Sequence, residues 1–527
     1  MTGDDHSGYD DTGYDDTGYD DTVDVIVVGS GGGITGAYTA AREGLSVALL
    51  EAGEKFGGTT AYSGGGGMWF PCNAVLRRAG SDDTIEAALT YFHAVVGDRT
   101  PRELQDTYVR GGAALIDYLE ADDNFDFTVL PWPDYFGSAP QARLDGLRHV
   151  VATPLPAERL GSDAQLVRGP LDNEWFGTPA PEVLTGGRAL IGRFLMALRR
   201  FPATTLHRNS ELVDLIVSNG AVVGAVVRRN NEQVRIRARR GVLLAAGGFE
   251  RNATMRAEFG VPGRVEDSLG APDNTGAAHE AAIRAGAATD LMDQAWWSPG
   301  LIHPGRGAAF ALWFAGGIFV NQAGKRFVNE SAPYDRLGRE IIAEMRAGRL
   351  SLPFQMIYDD SRGEVPPVKA TNVSLVDTGL YQAAGLWHTA DSIAELAELI
   401  GVPGDALTHT VARHNQMVAA GVDTDFGRGE EAYDRAFSRG KPPLVPIDTA
   451  PYHAAAFGLS DLGTKGGLRT DSRARVLDEA GEVIPGLYAA GNTMAAVSGT
   501  TYPGGGNPIG ASMLFSHIAV LDMAKQR

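Results

Sequence analysis

A single cysteine, Cys72, rules out any intrachain disulfide, and nothing in the cysteine count points to an oxidising compartment. Without a CxxC partner it reads as a buried or bystander thiol, not a reactive one. Long uncharged apolar runs are missing too: none approaches the ~20 residues needed to span a bilayer. The first residues hold neither a basic segment nor an apolar core, so no signal peptide is expected and the reading is cytoplasmic. Positive charge is scarce, since 46 Lys and Arg against 65 Asp and Glu leave −19, which argues against nucleic acid as a partner. The eleven histidines include no HExxH and no Cys/His cluster, and His409 and His414 do not share a helical face, so no metal site is expected. No GxSxG elbow suggests a hydrolase.

What remains is a 527-residue chain with 44% hydrophobic residues, enough for large cores and two or three domains. Eight acids fall in the first 22 residues, where Gly8-Tyr-Asp-Asp-Thr12 repeats at 13–17 and 18–22. Such a tail buries too little apolar surface to order itself and reads as a solvated extension.

The organising stretch runs from Val23 to Glu51. An apolar run, Val25 to Val28, ends in Gly29-Ser30-Gly31-Gly32-Gly33, followed by a small-residue helical segment, a second apolar run and Glu51. Strand, glycine turn, helix, strand and acid, in that order, suit a dinucleotide. The glycines admit a pyrophosphate to backbone N–H groups at a helix N-terminus, and the acid accepts from the ribose. Gly29-x-Gly31 is the expected register, with the turn slightly lengthened, since Gly31-x-Gly33-x-x-Gly36 begins two residues beyond the strand.

Further on, Lys55 to Gly67 is dominated by glycines and small residues that suit backbone pressed against a flat ligand. Helical patterns cover Thr84 to Val96, Arg102 to Leu119 and Gly187 to Arg200, separated by proline-punctuated loops up to about Pro181. Period-two segments at Leu212–Val217, Val222–Arg228 and Gln233–Ala238, with turns at Asn219-Gly220 and Asn230-Asn231, predict an antiparallel meander. Val242 to Ala246 predicts a separate buried strand. From Asp293 to Ile447 the texture changes. Trp296, Trp297, Phe310, Trp313 and Phe314 appear, each read first as core and second as cavity lining, and helices are expected near Ile393–Ile400 and Ala406–Ala420, with Ser392 and Glu395 at capping-box spacing. From Pro451 the glycine-rich style returns.

The expected fold class is α/β, a Rossmann-like dinucleotide-binding domain with an inserted α+β domain; the family resemblance of the motifs makes the first an FAD-binding domain and the second a catalytic (substrate) domain. The divisions are 1–22 (tail), 23–292 (FAD-binding, first part), 293–447 (catalytic) and 448–527 (FAD-binding, second part).

Gly29–Gly33, Phe56-Gly-Gly-Thr-Thr-Ala-Tyr-Ser-Gly64, Ala245-Ala-Gly-Gly-Phe249, Gly324-Lys-Arg-Phe-Val-Asn-Glu330, Ser460-Asp-Leu-Gly-Thr-Lys-Gly-Gly467 and Gly486-Leu-Tyr-Ala-Ala-Gly-Asn492 resemble the flavoproteins related to fumarate reductase. Within that superfamily the chain resembles the 3-ketosteroid Δ1-dehydrogenases. The resemblance implies FAD, held by Gly29, Ser30, Gly31, Gly32, Gly33, Glu51, Ala52, Gly58, Thr59, Ser63, Gly64, Gly65, Ala246, Gly247, Gly491, Asn492, Pro508 and Ile509. It implies a steroid substrate in steroid catabolism, oxidised at C1–C2, and an electron acceptor that the sequence does not identify. A loose, peripheral association with a membrane surface stays open.

Pro133-Asp134-Tyr135, Asn329-Glu-Ser-Ala-Pro-Tyr334-Asp335 and Tyr502-Pro-Gly-Gly-Gly506 match the places where that family keeps its active-site tyrosines and a backbone amide. The resemblance makes Tyr334 the base for the C2 proton, Tyr135 its helper, and Tyr502 with the Gly506 N–H the donors to the C3 oxygen. Fumarate reductases use an arginine acid here, so Tyr334 points away from dicarboxylates. Gly505-Gly506-Asn507 departs from the family pattern, in which a proline often precedes the glycine and an apolar residue follows it. The alternatives are a C4–C5 desaturase of 5α-3-ketosteroids, a reductase of unsaturated acids, and a non-catalytic flavin or steroid carrier.

Overall fold

In the computed structural model, residues 18–371, 373–375, 377–438 and 443–526 are described. The two earlier repeats of the acidic tail lie outside that range.

Two sheets organise the chain. In the first, β1 (Asp21–Val28) leads through the glycine turn into α1 (Gly33–Arg42) and returns as β2 (Val47–Leu50). β1 and β2 pair in parallel, and β3 (Thr204–His207) extends the same edge beyond β2. Both faces of β1 and β2 are covered, which is why Val25–Val28 and Val47–Leu50 read as continuous apolar runs and not as alternation. On the other side of β1 lies β4 (Glu232–Leu244), parallel to it.

The predicted meander is present as Ser210–Ser218, Ala221–Arg229 and the first half of β4. The separate strand expected at Val242–Ala246 is instead the continuation of β4. A register shift opposite Val23–Val25 bends this one long strand, so its N-terminal half closes the exposed meander while its C-terminal half lies in the buried centre.

The second sheet holds β5 (Ala295–Ile302), followed after the Asn329–Pro333 loop by α2 (Tyr334–Arg346), and later β6 (Tyr452–Thr464). β6 is central, pairing with β5 on one side and Phe354–Asp359 on the other. The chain therefore leaves this sheet only at Thr464, later than the return at 448 read from the sequence; glycine-rich texture begins before the sheet ends. Ile393–Ile400 and Gly404–Ala420 are helical, and the Ser392 hydroxyl accepts from the Glu395 N–H at 3.2 Å. Finally β7 (Val483–Ala489) rejoins the first sheet beside β4, and α3 (Asn507–Lys525) packs along α1. Among the described residues no helix is long and apolar enough to cross a membrane, and no cluster of His, Cys, Asp and Glu could hold a metal ion.

Candidate functional site

The C-terminal ends of β1, β2, β4 and β7 converge on one cavity of about 450 Å³ that continues toward the second sheet. That volume is in the range of a small-molecule site. Its first half is built of backbone. Gly29 turns at φ +96°, and a Cβ there would stand 2.2 Å from the Ala245 carbonyl oxygen. Across the same turn, a Cβ on Gly32 would stand 1.8 Å from the Ser512 hydroxyl of α3. Only glycine lets β1, β4 and α3 approach this closely.

Helix α1 starts here with neither a side-chain cap nor an acid in its first turn, so its leading N–H groups face the cavity unclaimed by side chains. Glu51 is buried at the end of β2, accepting from the backbone N–H of Gly53 at 2.9 Å and from Ser30. Burial pushes its carboxyl above the usual range, opposed by the Ser30 and Gly53 hydrogen bonds. This donor set fits a dinucleotide: free amides for a pyrophosphate, an acid for a ribose and a side-chain-free slot between them.

Of the residues expected to hold the cofactor, Gly29, Ser30, Gly31, Gly32, Glu51, Ala52, Gly58, Thr59, Ser63, Gly64, Gly65, Ala246, Gly247, Gly491, Asn492, Pro508 and Ile509 line this cavity. Gly33 does not. Its Cα faces Val27 and Ala245, where a Cβ would come within 3.0 Å of both side chains, so Gly33 lets α1 sit close on the sheet. Helix α3 likewise begins with Gly506 as an uncapped N-cap, Pro508 in its first turn and no acid there.

The second half of the cavity is aromatic. Tyr334 is the first residue of α2. Tyr502 lies in the loop before α3, and Tyr135 in the Leu130–Phe136 loop. Far apart in sequence, the three rings form a triangle: Tyr135–Tyr334 5.5 Å, Tyr135–Tyr502 5.2 Å and Tyr334–Tyr502 5.5 Å between centroids, all edge-on. The Tyr135 N–H donates to the Pro503 carbonyl at 2.9 Å, which ties its loop to that of Tyr502. Asp134 anchors the same loop from below, accepting from Trp69 Nε1 at 2.8 Å and Arg148 Nη1 at 2.7 Å. The Gly506 N–H donates to the Tyr502 hydroxyl oxygen at 3.3 Å.

The electrostatics rank these phenols. Burial first, then the Tyr135 and Tyr502 hydroxyls, lift Tyr334 well above the ordinary tyrosine range. Tyr502 is pushed up by burial only to about 12, because hydrogen bonds involving Tyr334 and the Gly506 N–H favour its anion. Tyr135 is raised well above 10 by burial, with Tyr334 again opposing.

Trp296 and Phe310 are cavity lining, packed against Tyr502 and Tyr334 at 4.8 Å each, whereas Trp297 and Phe314 are core. Sequence reasoning missed Trp132, Leu269, Leu312 and Leu462, which complete the apolar end. It also missed a role for Tyr62, whose hydroxyl contacts Glu174 and accepts from Arg168 at 3.1 Å. Tyr62 sits in a quoted motif, but nothing in the motif marks the ring as facing the cavity. No Lys or Arg lines the cavity among the described residues. Cys72 is buried away from it, its thiol pushed up to about 11 by burial.

A sequence profile described as an FAD binding domain matches residues 24–509. A "3-oxosteroid 1-dehydrogenase" of Mycobacterium tuberculosis is 37% identical, over 95% of this chain and 98% of its own length. A "4-oxocyclohexanecarboxylate 2-dehydrogenase" of Sinomonas cyclohexanicum is 34% identical, over 96% and 93%. The solved structure of a 3-ketosteroid Δ1-dehydrogenase from Sterolibacterium denitrificans, in complex with 1,4-androstadiene-3,17-dione, is 31% identical. It aligns with a TM-score of 0.86 over 96% of this chain and all of that one.

Proposed function

The chain belongs to the 3-ketosteroid Δ1-dehydrogenase family of FAD-binding flavoproteins, and from that premise we propose that it desaturates the C1–C2 bond of 3-ketosteroids in the cytoplasm. FAD is the cofactor, and the glycine turn, the uncapped start of α1 and Glu51 are the residues that would hold it. The observation that carries the reading is the tyrosine triangle, which meets the Gly506 N–H at the apolar end of a cavity that no Lys or Arg lines among the described residues.

A hydrogen on C2 is acidic because its carbanion spreads onto the C3 oxygen. The Tyr502 O–H and Gly506 N–H lie close enough for one carbonyl oxygen to accept from both, and each donor aimed at a developing oxyanion is worth roughly 3 to 4 kcal/mol. Tyr334 takes the C2 proton on its phenolic oxygen. An ordinary phenol is only about 0.1% ionised at pH 7, and Tyr334 is pushed higher still, so it works by passing on its own proton as it receives the new one. Tyr135, whose ring stands edge-on to it at 5.5 Å, is the acceptor of that proton and releases its own to water, which leaves the Tyr502 O–H on the ketone oxygen. Held at the glycine turn and Glu51, FAD would supply the acceptor for the C1 hydrogen and its electron pair. Trp296, Phe310, Leu269 and Leu462 exclude water from the ketone end.

Anaerobic titration of the holoenzyme with androst-4-ene-3,17-dione tests this. Bleaching of the flavin band and appearance of the 1,4-diene are expected; a flavin that stays oxidised would indicate a carrier. A 4-ene substrate also separates the C4–C5 desaturase, which cannot act on it.

A further inference from the structure

Behind the tyrosines lies a buried cation that the chemistry above does not use. Lys465 follows β6, and its side chain is fully buried. Its Nζ stands 3.9 Å from the Trp296 ring centroid, donates to the Thr501 carbonyl at 2.9 Å and lies 3.8 Å from Asp335 Oδ1. Each partner adjoins a site residue. Thr501 precedes Tyr502, Asp335 follows Tyr334, and Trp296 packs edge-on against Tyr502 at 4.8 Å. Trp296 also donates from Nε1 to Asn492 Oδ1 at 3.1 Å, reaching the glycine-lined half of the cavity.

We propose that Lys465 is a positioning residue for the desaturation: its ammonium ties the helix that carries Tyr334 to the loop that carries Tyr502 and offsets the Asp335 carboxylate between them. The inference rests on the reading above. Asp335 is the acid in the first turn of α2, directly after Tyr334, and its charge raises Tyr502. Uncovered, that carboxylate opposes negative charge on either phenol. The charged groups facing Lys465 are Asp335 and Arg339, both on α2, and Arg339 Nε also bonds Asp335 at 2.9 Å. From β5 and from the loop before Tyr502 it meets an indole face and a carbonyl. Burial lowers the ammonium to about 7, with Asp335 opposing and Arg339 assisting, so the tie is present in acid and loosens above neutrality.

The test compares wild-type holoenzyme with Lys465→Met and Asp335→Asn. Lys465→Met is expected to lower kcat by about 10²-fold while steroid KM and FAD content stay near wild type, and to remove the inflection near pH 7 from the wild-type pH–kcat profile. A second readout needs no substrate. From about pH 7 to the ordinary lysine range near 10.5, the unfolded chain holds a proton that native Lys465 has released. Wild-type melting temperature therefore gains a rising contribution across that window, and Lys465→Met removes it. Asp335→Asn deletes the opposing charge and shifts the inflection to lower pH. Wild-type kcat in Lys465→Met, an unchanged pH profile in both variants, or the same melting slope without the lysine would each overturn the proposal. Failure of wild-type enzyme to desaturate steroid would instead sink the functional reading, while leaving the melting comparison valid.

Discussion

The Tyr334 and Tyr502 rings stand nearly perpendicular, 85° apart at 5.5 Å, one at the first residue of α2 beside the second sheet and the other in the loop that leads from the first sheet into α3. The cavity is thus lined from two layers, and neither layer alone holds both phenols.

Removing the Tyr334 hydroxyl tests the base with little disturbance of packing. Tyr334→Phe keeps the ring that packs on Phe310 at 4.8 Å, so folding and FAD binding are expected to persist. Single-turnover flavin reduction is expected to slow by about 10² to 10⁴-fold, the range for a lost proton acceptor. Retention of most of the wild-type rate would place the base elsewhere.

The two proposed donors to the ketone separate by mutation. Tyr502→Phe leaves the backbone alone and is expected to lower kcat by about 10² to 10³-fold, with FAD content unchanged. Gly506→Ala is different: φ is +83°, and the added Cβ would lie 1.9 Å from the Gly67 carbonyl oxygen, so the start of α3 must move. Loss of bound FAD as well as rate is expected there, read from the protein-to-flavin absorbance ratio. Equal effects on rate alone in both variants would remove the strain argument.

Much of this architecture was legible because local signals carried it. The β1 turn, the meander hairpins and the Ser392 cap each depend on residues within a few positions of one another. The single long strand β4 was not, because its two halves differ in burial and so differ in pattern, and burial is set by partners distant in sequence. The same reason hid the true end of the second sheet at Thr464: β6 is alanine- and glycine-rich, and its central place comes from pairing. In the site, motif resemblance marked the tyrosines. Lys465 lay in plain view within Gly463-Thr-Lys-Gly-Gly467, yet only the tertiary structure places a lysine there under an indole.

The glycine turn gives a test of the cofactor slot. Gly29→Ala sets a Cβ 2.2 Å from the Ala245 oxygen at a φ that L-residues avoid. The variant is expected to purify with much less FAD than wild type and to melt lower. Full FAD occupancy would mean that β4 yields more readily than its buried pairing suggests.

Acid should destabilise the protein through buried neutral histidines. Burial lowers His149 to about 3 and His279, His303 and His517 to about 4, from an ordinary 6.5. Below 6.5 the unfolded chain gains protons that the native state refuses. This contribution is therefore intact above pH 6.5 and is lost as pH falls toward 4, by up to about 1.4 kcal/mol per pH unit for each group. Melting temperature should drop between pH 7 and 5, and His149→Gln should make the drop shallower. A flat profile would mean that these rings are hydrated in the native state.

Charge in the cavity decides between ketone classes. An oxocyclohexanecarboxylate carries a carboxylate that must be desolvated beside its ring ketone, and burying an unpaired carboxylate is expensive. Among the described residues no Lys or Arg lines the cavity, and the buried ammonium of Lys465 lies behind Trp296 and faces Asp335. Neutral 3-ketosteroids are accordingly expected to exceed 4-oxocyclohexanecarboxylate in kcat/KM by at least about 10³-fold, the penalty of one unpaired charge of ~4 kcal/mol. Methyl esterification of the acid should recover part of the loss, because it removes the charge and leaves the ring unchanged. Comparable turnover of acid and steroid would require a cation to reach the cavity, and would contradict the placement of Lys465 behind the indole.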